Sequence, residues 1–571
     1  MKVLLLAAAL SLPLPGAAVP PPELVREAQK PERISRFEDG AVLADFGRDA
    51  FAQMSLRLRS DKDGDTVLVH LGERLSDGRV ARNPGGSVRY RLDTLVLRRG
   101  THDYSVRIRP DKRNTGPDAI KMPSEIGEVL PFRYCELEGY SGPTPRRAFT
   151  RWNVHHRFDD GAARFRCDND TLNRIWELCR YSVKATSFTG YYVDGDRERI
   201  PYEADALIGQ LCHYAADCEF TMARRTLAHL LEHPTWPTEW ILQCIPVAWN
   251  DYLFSGDDAF LRAHYPQLKA HCLLDLREPC GLISTTTGRQ SPELLASIAR
   301  SAPLRDIVDW PHSGSLGLKP GEGGEDDGFV YTACNTVVNA WYYHALTLME
   351  QIAAHLGEEE DRALFAAAAA AARDAFDQLL YDAENERYKD GIETEHASLH
   401  GNMFALLFGL VPQERVPGVV RFIRSRGMAC SVYGAQFLLD ALYEARESDY
   451  AFSLLTSGAL RSWYNMIRVG STISLEAWDD SFKPNQDWNH IWGAAPGNLI
   501  PFRLMGIRPL EPGFASVLID PQPGPLKRAV MRIKTVKGPL TVRVRQSGGT
   551  MKVRIRAPRG VKVVRPTAEA V

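Results

Sequence analysis

The 571-residue sequence lacks the features that mark several large classes of protein. The apolar run near its start is too short to span a bilayer and no later stretch approaches that length, so we expect no membrane partner. The formal net charge is −2 at pH 7, and this balance gives no reason to expect nucleic acid as a partner. The ten cysteines form no Cys-x-x-Cys pair and no His/Cys cluster with zinc spacing. We therefore expect neither a zinc site nor a nucleic-acid-binding function.

What the sequence does contain is typical of a large globular protein. Hydrophobic residues make up 44% and charged residues 25% of the chain, which argues against long disordered segments. The length predicts two to four domains. Eleven Trp and twenty Tyr supply flat apolar faces with a polar edge, which suit sugar rings as well as large cores.

The N-terminus resembles a secretory signal. Lys2 precedes the short apolar run 3–12, and Gly16-Ala17-Ala18 offers small residues for cleavage. We predict a signal peptide over residues 1–18 and export to the periplasm or the medium. Export permits disulfides, but most cysteines fall within apolar helical patterns, so we expect mainly buried thiols with at most one bridge.

The pattern of apolar residues divides the chain into three parts. Residues 33–165 and 507–571 alternate short β-forming runs with Gly, Asp and Pro turns, which predicts an N-terminal and a C-terminal β-sandwich. Between them, residues 166–506 alternate amphipathic helices with loops. The clearest predicted helices span residues 204–231, 336–356, 362–380 and 434–446. We predict a mainly α protein in which helical hairpins form a toroid; a solenoid is the alternative, but no fixed repeat period supports it.

The densest polar segment lies between Tyr192 and Asp205. It holds five carboxylates and two arginines, namely Asp194, Asp196, Glu198, Glu203, Asp205, Arg197 and Arg199. Pro201 fits the first position of a helix, so the last two carboxylates would lie in its first turn. Crowding of this kind can leave one carboxyl protonated while its neighbours stay ionised. A charged, solvated helix start is the alternative, although the tyrosines around the segment argue against it.

Two further segments combine acidic and aromatic residues. The first is 470–480, which contains Glu476 and is followed by Asp487-Trp-Asn-His490. The second is 234–240, with tryptophans spaced by prolines. Core aromatics beside a capped helix would explain each segment alone. Two carboxylate segments on loops of one helical toroid, with Trp nearby, also suit a pair that acts across a glycosidic bond.

The sequence resembles the bacterial α-L-rhamnosidase family of six-hairpin glycosidases over most of its length. The family's acidic motif matches Asp194, Arg197-Glu198-Arg199 and Asp205, with the spacing from Glu to Asp retained. Its Thr-x-x-x-Glu-x-Trp segment matches residues 472–478. His490 and Asp309-Trp310 match sugar-binding positions of the family.

This resemblance implies an (α/α)6 catalytic domain between two β-sandwich domains. It implies an exo-acting, inverting hydrolase of terminal α-L-rhamnosides, with Glu198 as general acid and Glu476 as general base. No metal and no organic cofactor is implied, and the partner is a carbohydrate substrate. The implied and inferred substrate-binding residues are Asp194, Asp196, Arg197, Glu203, Asp205, Trp236, Trp240, Asp309, Trp310, Trp478 and His490.

The acidic motif departs from the family pattern in two places. The usual Asp-Cys-Pro opening is Asp194-Gly195-Asp196, with one residue fewer before the Arg, and Pro201 to Ala204 replace Gly-Trp-x-Gly. Glu203 therefore stands as an alternative acid and Asp196 as an alternative to Asp194. A related deoxy sugar or a uronic-acid-capped glycan is an alternative substrate.

Two other functional classes fit parts of the sequence. A polysaccharide lyase on the same toroid could use Tyr202 as base, with Arg197 and Arg199 neutralising a uronate. A non-catalytic glycan-binding protein is the other alternative, but a binder has no need of two opposed carboxylates such as Glu198 and Glu476.

Overall fold

A computed structural model describes residues 19–315, 319 and 323–566. The predicted signal peptide, residues 1–18, lies outside the described residues, so export stays a prediction. None of the helices in the described ranges is long and apolar enough to cross a membrane. Along the chain, a strand-rich part is followed by a helical part and then by a second strand-rich part.

The N-terminal part is one eight-stranded antiparallel sheet folded over its own core. Its strands and the small hairpin β5–β6 are β1 Leu24–Gln29, β2 Arg33–Arg36, β3 Val42–Ser60, β4 Thr66–Gly72, β5 Leu75–Ser76, β6 Arg79–Val80, β7 Tyr90–Val96, β8 Gly100–Ser105, β9 Leu130–Glu138 and β10 Phe149–His156. The order is β1-β10-β3-β9-β4-β7, and β2 and β8 also pair with β3. The sheet therefore begins at Leu24, before the predicted start at residue 33.

Strand β3 explains how this sheet closes. It is 19 residues long and pairs with β2 and β10 along one edge and with β9 and β8 along the other. The register shifts between Asp45 and Ala50, and such a bulge bends a strand. Its second half alternates buried and outward residues, with Met54, Leu56 and Leu58 in the core.

The helical part is a closed double ring. Its helices are α1 Asp170–Thr186, α2 Glu203–Ala216, α3 Thr221–Glu232, α4 Thr238–Ser255, α5 Ala259–Ala270, α6 Pro292–Ser297, α7 Thr336–Leu356, α8 Glu359–Leu380, α9 Leu399–Leu407, α10 Val416–Arg426, α11 Val432–Glu444, α12 Ser448–Leu455, α13 Trp463–Arg468 and α14 Pro496–Leu499. A small hairpin, β12 Tyr381–Asp382 and β13 Arg387–Tyr388, follows α8. Helices α2, α4, α7, α9, α11 and α14 contact one another in turn, and α14 returns to α2. These six form the inner ring, and their partners lie outside them.

The inner helices are apolar on nearly all sides because they contact neighbours all around them. All but one residue of α2 is buried, and α4 is buried along most of its length. The predicted single helix over residues 204–231 is wrong. The chain turns between Ala216 and Thr221, where Cys218 has a φ of 64°, and α2 is an inner and α3 an outer helix. The helix predicted at 336–356 is confirmed.

The C-terminal part consists of two small sheets. Its strands are β14 Ile507–Pro509, β15 Ser516–Ile519, β16 Arg528–Thr535, β17 Gly538–Ser547, β18 Thr550–Arg556 and β19 Lys562–Val564. Strand β11, Arg164–Cys167, pairs with β16, so a strand that precedes the barrel completes the C-terminal sheet. The predicted fold class, a helical toroid between two strand-rich domains, is confirmed. All ten cysteines are free thiols, seven of them buried, and no bridge forms.

Candidate active site

One pocket lies where loops enter the N-termini of the inner helices. Segment 194–202 leads into α2, Trp236 precedes α4, segment 307–310 lies between α6 and α7, and segment 476–492 leads into α14. The pocket is lined by Asp194, Arg197, Glu198, Tyr202, Asp205, Trp236, Trp240, Ile307, Trp310, Glu476, His490 and Trp492. The two carboxylate segments that the sequence analysis singled out therefore meet, although nearly 280 residues separate them.

Arg197 joins the two carboxylates at the centre of the pocket. Its Nη1 donates to Glu476 Oε2 at 3.0 Å and its Nη2 to Glu476 Oε1 at 3.3 Å. Its Nε donates to Glu198 Oε1 at 3.2 Å. The two carboxylates thus occupy different sides of one guanidinium, which holds them apart.

Glu476 is a buried carboxylate in a strongly cationic environment. Burial alone would raise its pKa, but Arg197 and Lys483 outweigh burial and hold the pKa at about 2. Lys483 Nζ lies 3.1 Å from Glu476 Oε1, and the main-chain N–H of Asp487 donates to Oε2 at 2.9 Å. Glu476 is therefore ionised across the physiological pH range.

Glu198 is the more accessible carboxylate of the two. About 35% of its side chain is exposed, against 2% for Glu476. The Tyr202 hydroxyl donates to Glu198 Oε2 at 3.1 Å. Glu198 therefore presents a carboxyl group to the open side of the pocket, within reach of a bound molecule.

The floor of the pocket carries further acidic groups. Asp194 accepts a hydrogen bond from the main-chain N–H of Ile200 at 3.1 Å, and burial together with Glu198 raises its pKa well above the usual value. His490 Nε2 lies 2.9 Å from Asp205 Oδ1. Burial raises the pKa of Asp205, while His490 opposes the rise. These groups can accept or donate hydrogen bonds to the hydroxyls of a sugar.

Aromatic rings form the walls. Trp240 makes edge contacts with Tyr202 and Trp492, with ring centroids 5.7 and 6.3 Å apart. The Arg305 guanidinium lies over the Trp236 ring, with its Cζ 4.5 Å from the ring centroid. Flat rings beside hydrogen-bonding groups match the mixed apolar and polar faces of a sugar. Trp492 belongs to the later of the two carboxylate segments of the sequence, but it was not predicted to bind the sugar, since nothing in the sequence separates a wall residue from a core residue there.

A glycine lets the acidic loop approach the second segment closely. Gly195 has a φ of 101°, and a Cβ there would lie 2.8 Å from Asp487 Oδ2. The adjacent main-chain N–H groups of Asp196 and Arg197 donate to Asn489 Oδ1 and Asp487 Oδ2. The glycine that replaces the family's residue here is therefore needed for the contact between the two loops.

Two predicted sugar-binding carboxylates in the acidic segment lie away from the pocket. Asp196 is 1% exposed and its carboxylate binds Arg89 and Arg199, the latter at 2.7 Å. Glu203 is fully buried and accepts hydrogen bonds from the N–H and the hydroxyl of Thr235. Because protein donors already hold both groups, neither faces a substrate in this structure.

Two other residues that were predicted to bind the sugar, Asp309 and Trp478, form hydrogen bonds with other protein groups instead of lining the pocket. Asp309 is fully buried and binds His400 Nε2 at 2.7 Å and the N–H of Ser431 at 2.9 Å. Trp478 is fully buried, and its Nε1 donates to the Cys430 carbonyl at 2.8 Å. Glu476, two residues before Trp478 in the sequence, lines the pocket instead. The other predicted residues, Asp194, Arg197, Asp205, Trp236, Trp240, Trp310 and His490, all line it.

One cluster near the pocket has the composition of a metal site. Glu476, Asp487 and His490 place one potential ligand atom each within 4.8 Å of one another. Arg197 and Lys483 already neutralise Glu476, so a cation placed there would meet two positive charges. The geometry favours an internal ion-pair network over a metal site.

The chain matches two family models over most of its length. Residues 160–504 match the bacterial alpha-L-rhamnosidase 6 hairpin glycosidase domain, and residues 506–567 match the bacterial alpha-L-rhamnosidase C-terminal domain. An alpha-L-rhamnosidase of Alteromonas sp. (strain LOR) is 24% identical over 537 residues, which cover 87% of this chain and 53% of the relative. One of Streptomyces avermitilis is 26% identical over 557 residues, 93% of this chain and 49% of the relative. The chain thus spans about half the length of the curated relatives it matches.

Solved structures show the same fold. The alpha-L-rhamnosidase from Dictyoglumus thermophilum superposes with a TM-score of 0.76 at 19% identity, covering 95% of this chain and 59% of that one. The Streptomyces avermitilis enzyme complexed with L-rhamnose gives a TM-score of 0.74 at 17% identity, covering 96% and 50%. Together with the domain matches, these similarities show that this chain belongs to the bacterial alpha-L-rhamnosidase family of six-hairpin glycosidases.

Proposed function

We propose that this chain is an exo-acting, inverting glycoside hydrolase that releases a terminal α-L-rhamnose or a closely related deoxy sugar. The observation that carries the proposal is the pairing of Glu198 and Glu476 on two sides of Arg197, in a pocket walled by aromatic rings. The relatives named alpha-L-rhamnosidase, and the solved structure with L-rhamnose, support rhamnose as the sugar.

The different environments of the two carboxylates suit different roles. Glu476 is ionised and buried beneath the sugar site, as a general base that activates water must be. Glu198 faces the open side, where the leaving group would lie, and can protonate the glycosidic oxygen. The guanidinium between them supports the wide separation of roughly 6.5–9.5 Å typical of inverting enzymes, in which a water molecule fits beside the sugar.

The alternative acid and the lyase alternative fit the geometry less well. Glu203 is held by Thr235 and does not line the pocket. Arg199 is 2% exposed and binds Asp196 and Glu128, so it is not placed to neutralise a uronate. Burial and the nearby Asp194 raise the pKa of Tyr202 above its usual range, which makes it a poor base.

The test combines product stereochemistry with substitutions. Aryl α-L-rhamnoside is hydrolysed while proton NMR follows the anomeric configuration of the first sugar formed, and the proposal expects β-L-rhamnose. Glu198→Gln and Glu476→Gln should each lower kcat by about 10²–10⁴-fold, the usual contribution of a general acid or base. Glu384→Gln, at an exposed position, is the matched control and should keep full activity.

Several outcomes would contradict the proposal. Formation of α-L-rhamnose as the first product would rule out inversion. Retained activity in Glu198→Gln with loss in Glu203→Gln would move the acid to Glu203. A wild-type protein that binds rhamnosides and cleaves none across a broad glycoside panel would be a binding protein, and an absorbance rise from an unsaturated product would indicate a lyase.

A further inference from the structure

Lys483 is a buried cation in the loop that follows Glu476. Its side chain is 1% exposed, and its Nζ lies 3.1 Å from Glu476 Oε1 and 3.0 Å from Asn485 Oδ1. Lysine is rarely buried to this extent unless it is paired. Burial lowers the pKa of Lys483 and the Glu476 carboxylate opposes this effect. Lys483 thus depends on Glu476 for its charge, and Glu476 on Lys483.

The loop around Lys483 is fixed from both sides. Phe482 N–H donates to the Asp479 carbonyl, and Gln486 Nε2 donates to Asp480 Oδ1 at 2.8 Å. Arg74 of the N-terminal domain forms an ion pair with Asp480 at 3.3 Å. These contacts fix the backbone of the loop, and the folded structure therefore holds the Lys483 ammonium group against Glu476.

The other cation on Glu476 cannot distinguish the two catalytic carboxylates. Arg197 contacts both Glu198 and Glu476, so its charge is shared between the two carboxylates. Lys483 reaches Glu476 on its buried side. An acid and a base that work together need different protonation states at one pH. Lys483 places a positive charge beside the base, Glu476, but not to the same extent beside the acid, Glu198.

The remaining ionisable groups that face Glu476 do not replace this charge. His490 also lowers the pKa of Glu476, but it is already engaged with Asp205. Burial raises the pKa of Asp487 to about 7, and its negative form would oppose ionisation of Glu476. Among the groups that lower the pKa of Glu476, Arg197 and Lys483 therefore contribute most.

We propose that Lys483 is a positioning residue for the hydrolysis proposed above, which orients Glu476 and keeps it ionised while Glu198 carries the proton. This inference rests on the proposed function. It predicts that removing the Lys483 charge moves the acid side of the pH profile and leaves the identity of the acid and the base unchanged.

The experiment measures kcat/KM from about pH 2.5 to about pH 8 on an aryl α-L-rhamnoside, a range that covers the expected shift of the Glu476 pKa from about 2. Lys483→Met and Lys483→Gln remove the charge, and Lys483→Arg keeps it. Wild type and Lys483→Arg should keep their activity to the lowest pH measured, because the pKa of Glu476 is about 2. In the neutral variants the acid limb should move up by roughly 1–3 units, to about pH 3–5, the usual effect of one adjacent opposite charge on a carboxyl pKa. Lys537→Met, at an exposed turn of the C-terminal domain, is the matched control.

Three results would overturn the inference. The first is an acid limb of both neutral variants that coincides with that of wild type. The second is a Lys483→Arg variant that shows the same shift as the neutral variants, which would mean that the charge is not the cause. The third is failure of both neutral variants to fold, measured by thermal unfolding, while Lys483→Arg folds; the role of Lys483 would then be structural. Failure of the proposed function is distinct from all three, since it appears as an inactive wild type or an unaffected Glu476→Gln.

Discussion

The hydrogen bond from Tyr202 to Glu198 allows a quantitative prediction about the acid step. The hydroxyl lies 3.1 Å from Glu198 Oε2, and the ring packs against Trp240. Tyr202→Phe removes the hydroxyl and keeps the ring. While Glu198 is protonated the bond is between neutral groups, worth about 0.5–1.5 kcal/mol, and once Glu198 has given up its proton the acceptor is charged and the bond is worth about 1.5–3 kcal/mol.

The hydrogen bond strengthens as Glu198 gives up its proton, and this gain in free energy determines how much kcat should fall in Tyr202→Phe. The difference between the two states is about 1 kcal/mol, and part of it is already realised in the transition state. Since 1.36 kcal/mol corresponds to a tenfold change in rate, we expect Tyr202→Phe to lower kcat about two- to fivefold on substrates whose leaving group must be protonated.

Comparison of leaving groups isolates this effect. Alkyl or disaccharide rhamnosides need protonation of the departing oxygen, so the loss should be full. In a dinitrophenyl rhamnoside the leaving group departs as a stable phenolate with little need of protonation, so the loss of kcat should be small. Tyr191→Phe, at a half-buried tyrosine outside the pocket lining, is the control and should be neutral on both substrates. An equal loss on both substrates would refute the reasoning, because it would mean that the hydroxyl acts on binding or folding.

Three other predictions concern stability. Arg89→Met leaves Asp196 with one of its two buried cations, and should lower the free energy of unfolding by about 3–5 kcal/mol in urea melts; a change below 1 kcal/mol would contradict the pairing. Trp478→Ala should cost about 3–5 kcal/mol through the cavity it leaves, and a nearly unchanged melt would show that the residue is not packed as described. Burial raises the pKa of Glu239 to about 8, above its unfolded value, so its contribution to stability is full below about pH 4.5 and is lost as the pH rises through about 8. Glu239→Gln should therefore raise the melting temperature relative to wild type more at pH 8 than at pH 5, and an equal change at both would refute this assignment.

Much of the architecture could be predicted because periodicity survives in the sequence wherever an element buries one face. The switch from alternating to helical spacing at Cys167 marks the start of the barrel, and the helix at 336–356 matches the structure to the residue. The break between α2 and α3 was missed because apolar residues continue across it on both sides. The return of a β pattern indicated the C-terminal domain, but not that β11 joins it.

The candidate site was predictable at the level of segments and only partly at the level of residues. Clustering of carboxylates and the resemblance pointed to the loops that hold Glu198 and Glu476, which the structure brings to one guanidinium. Loops have no period that assigns a side chain to one face, so only the family motif favoured Asp194, in the pocket, over Asp196, which is bound by arginines. For the same reason Lys483 carried no signal.

The order of the domains and the two loops that carry the proposed catalytic pair could be predicted from the sequence, because burial patterns and clusters of charge are local properties of the chain. Which carboxylates line the pocket depends on contacts that form only in the folded protein. Asp196, Glu203 and Asp309 are chemically equal to the residues of the pocket, and what sets them apart is a donor from a distant segment: Arg89, Thr235 or His400. Burial and long-range pairing, not residue type, separate the structural acids from those available for catalysis.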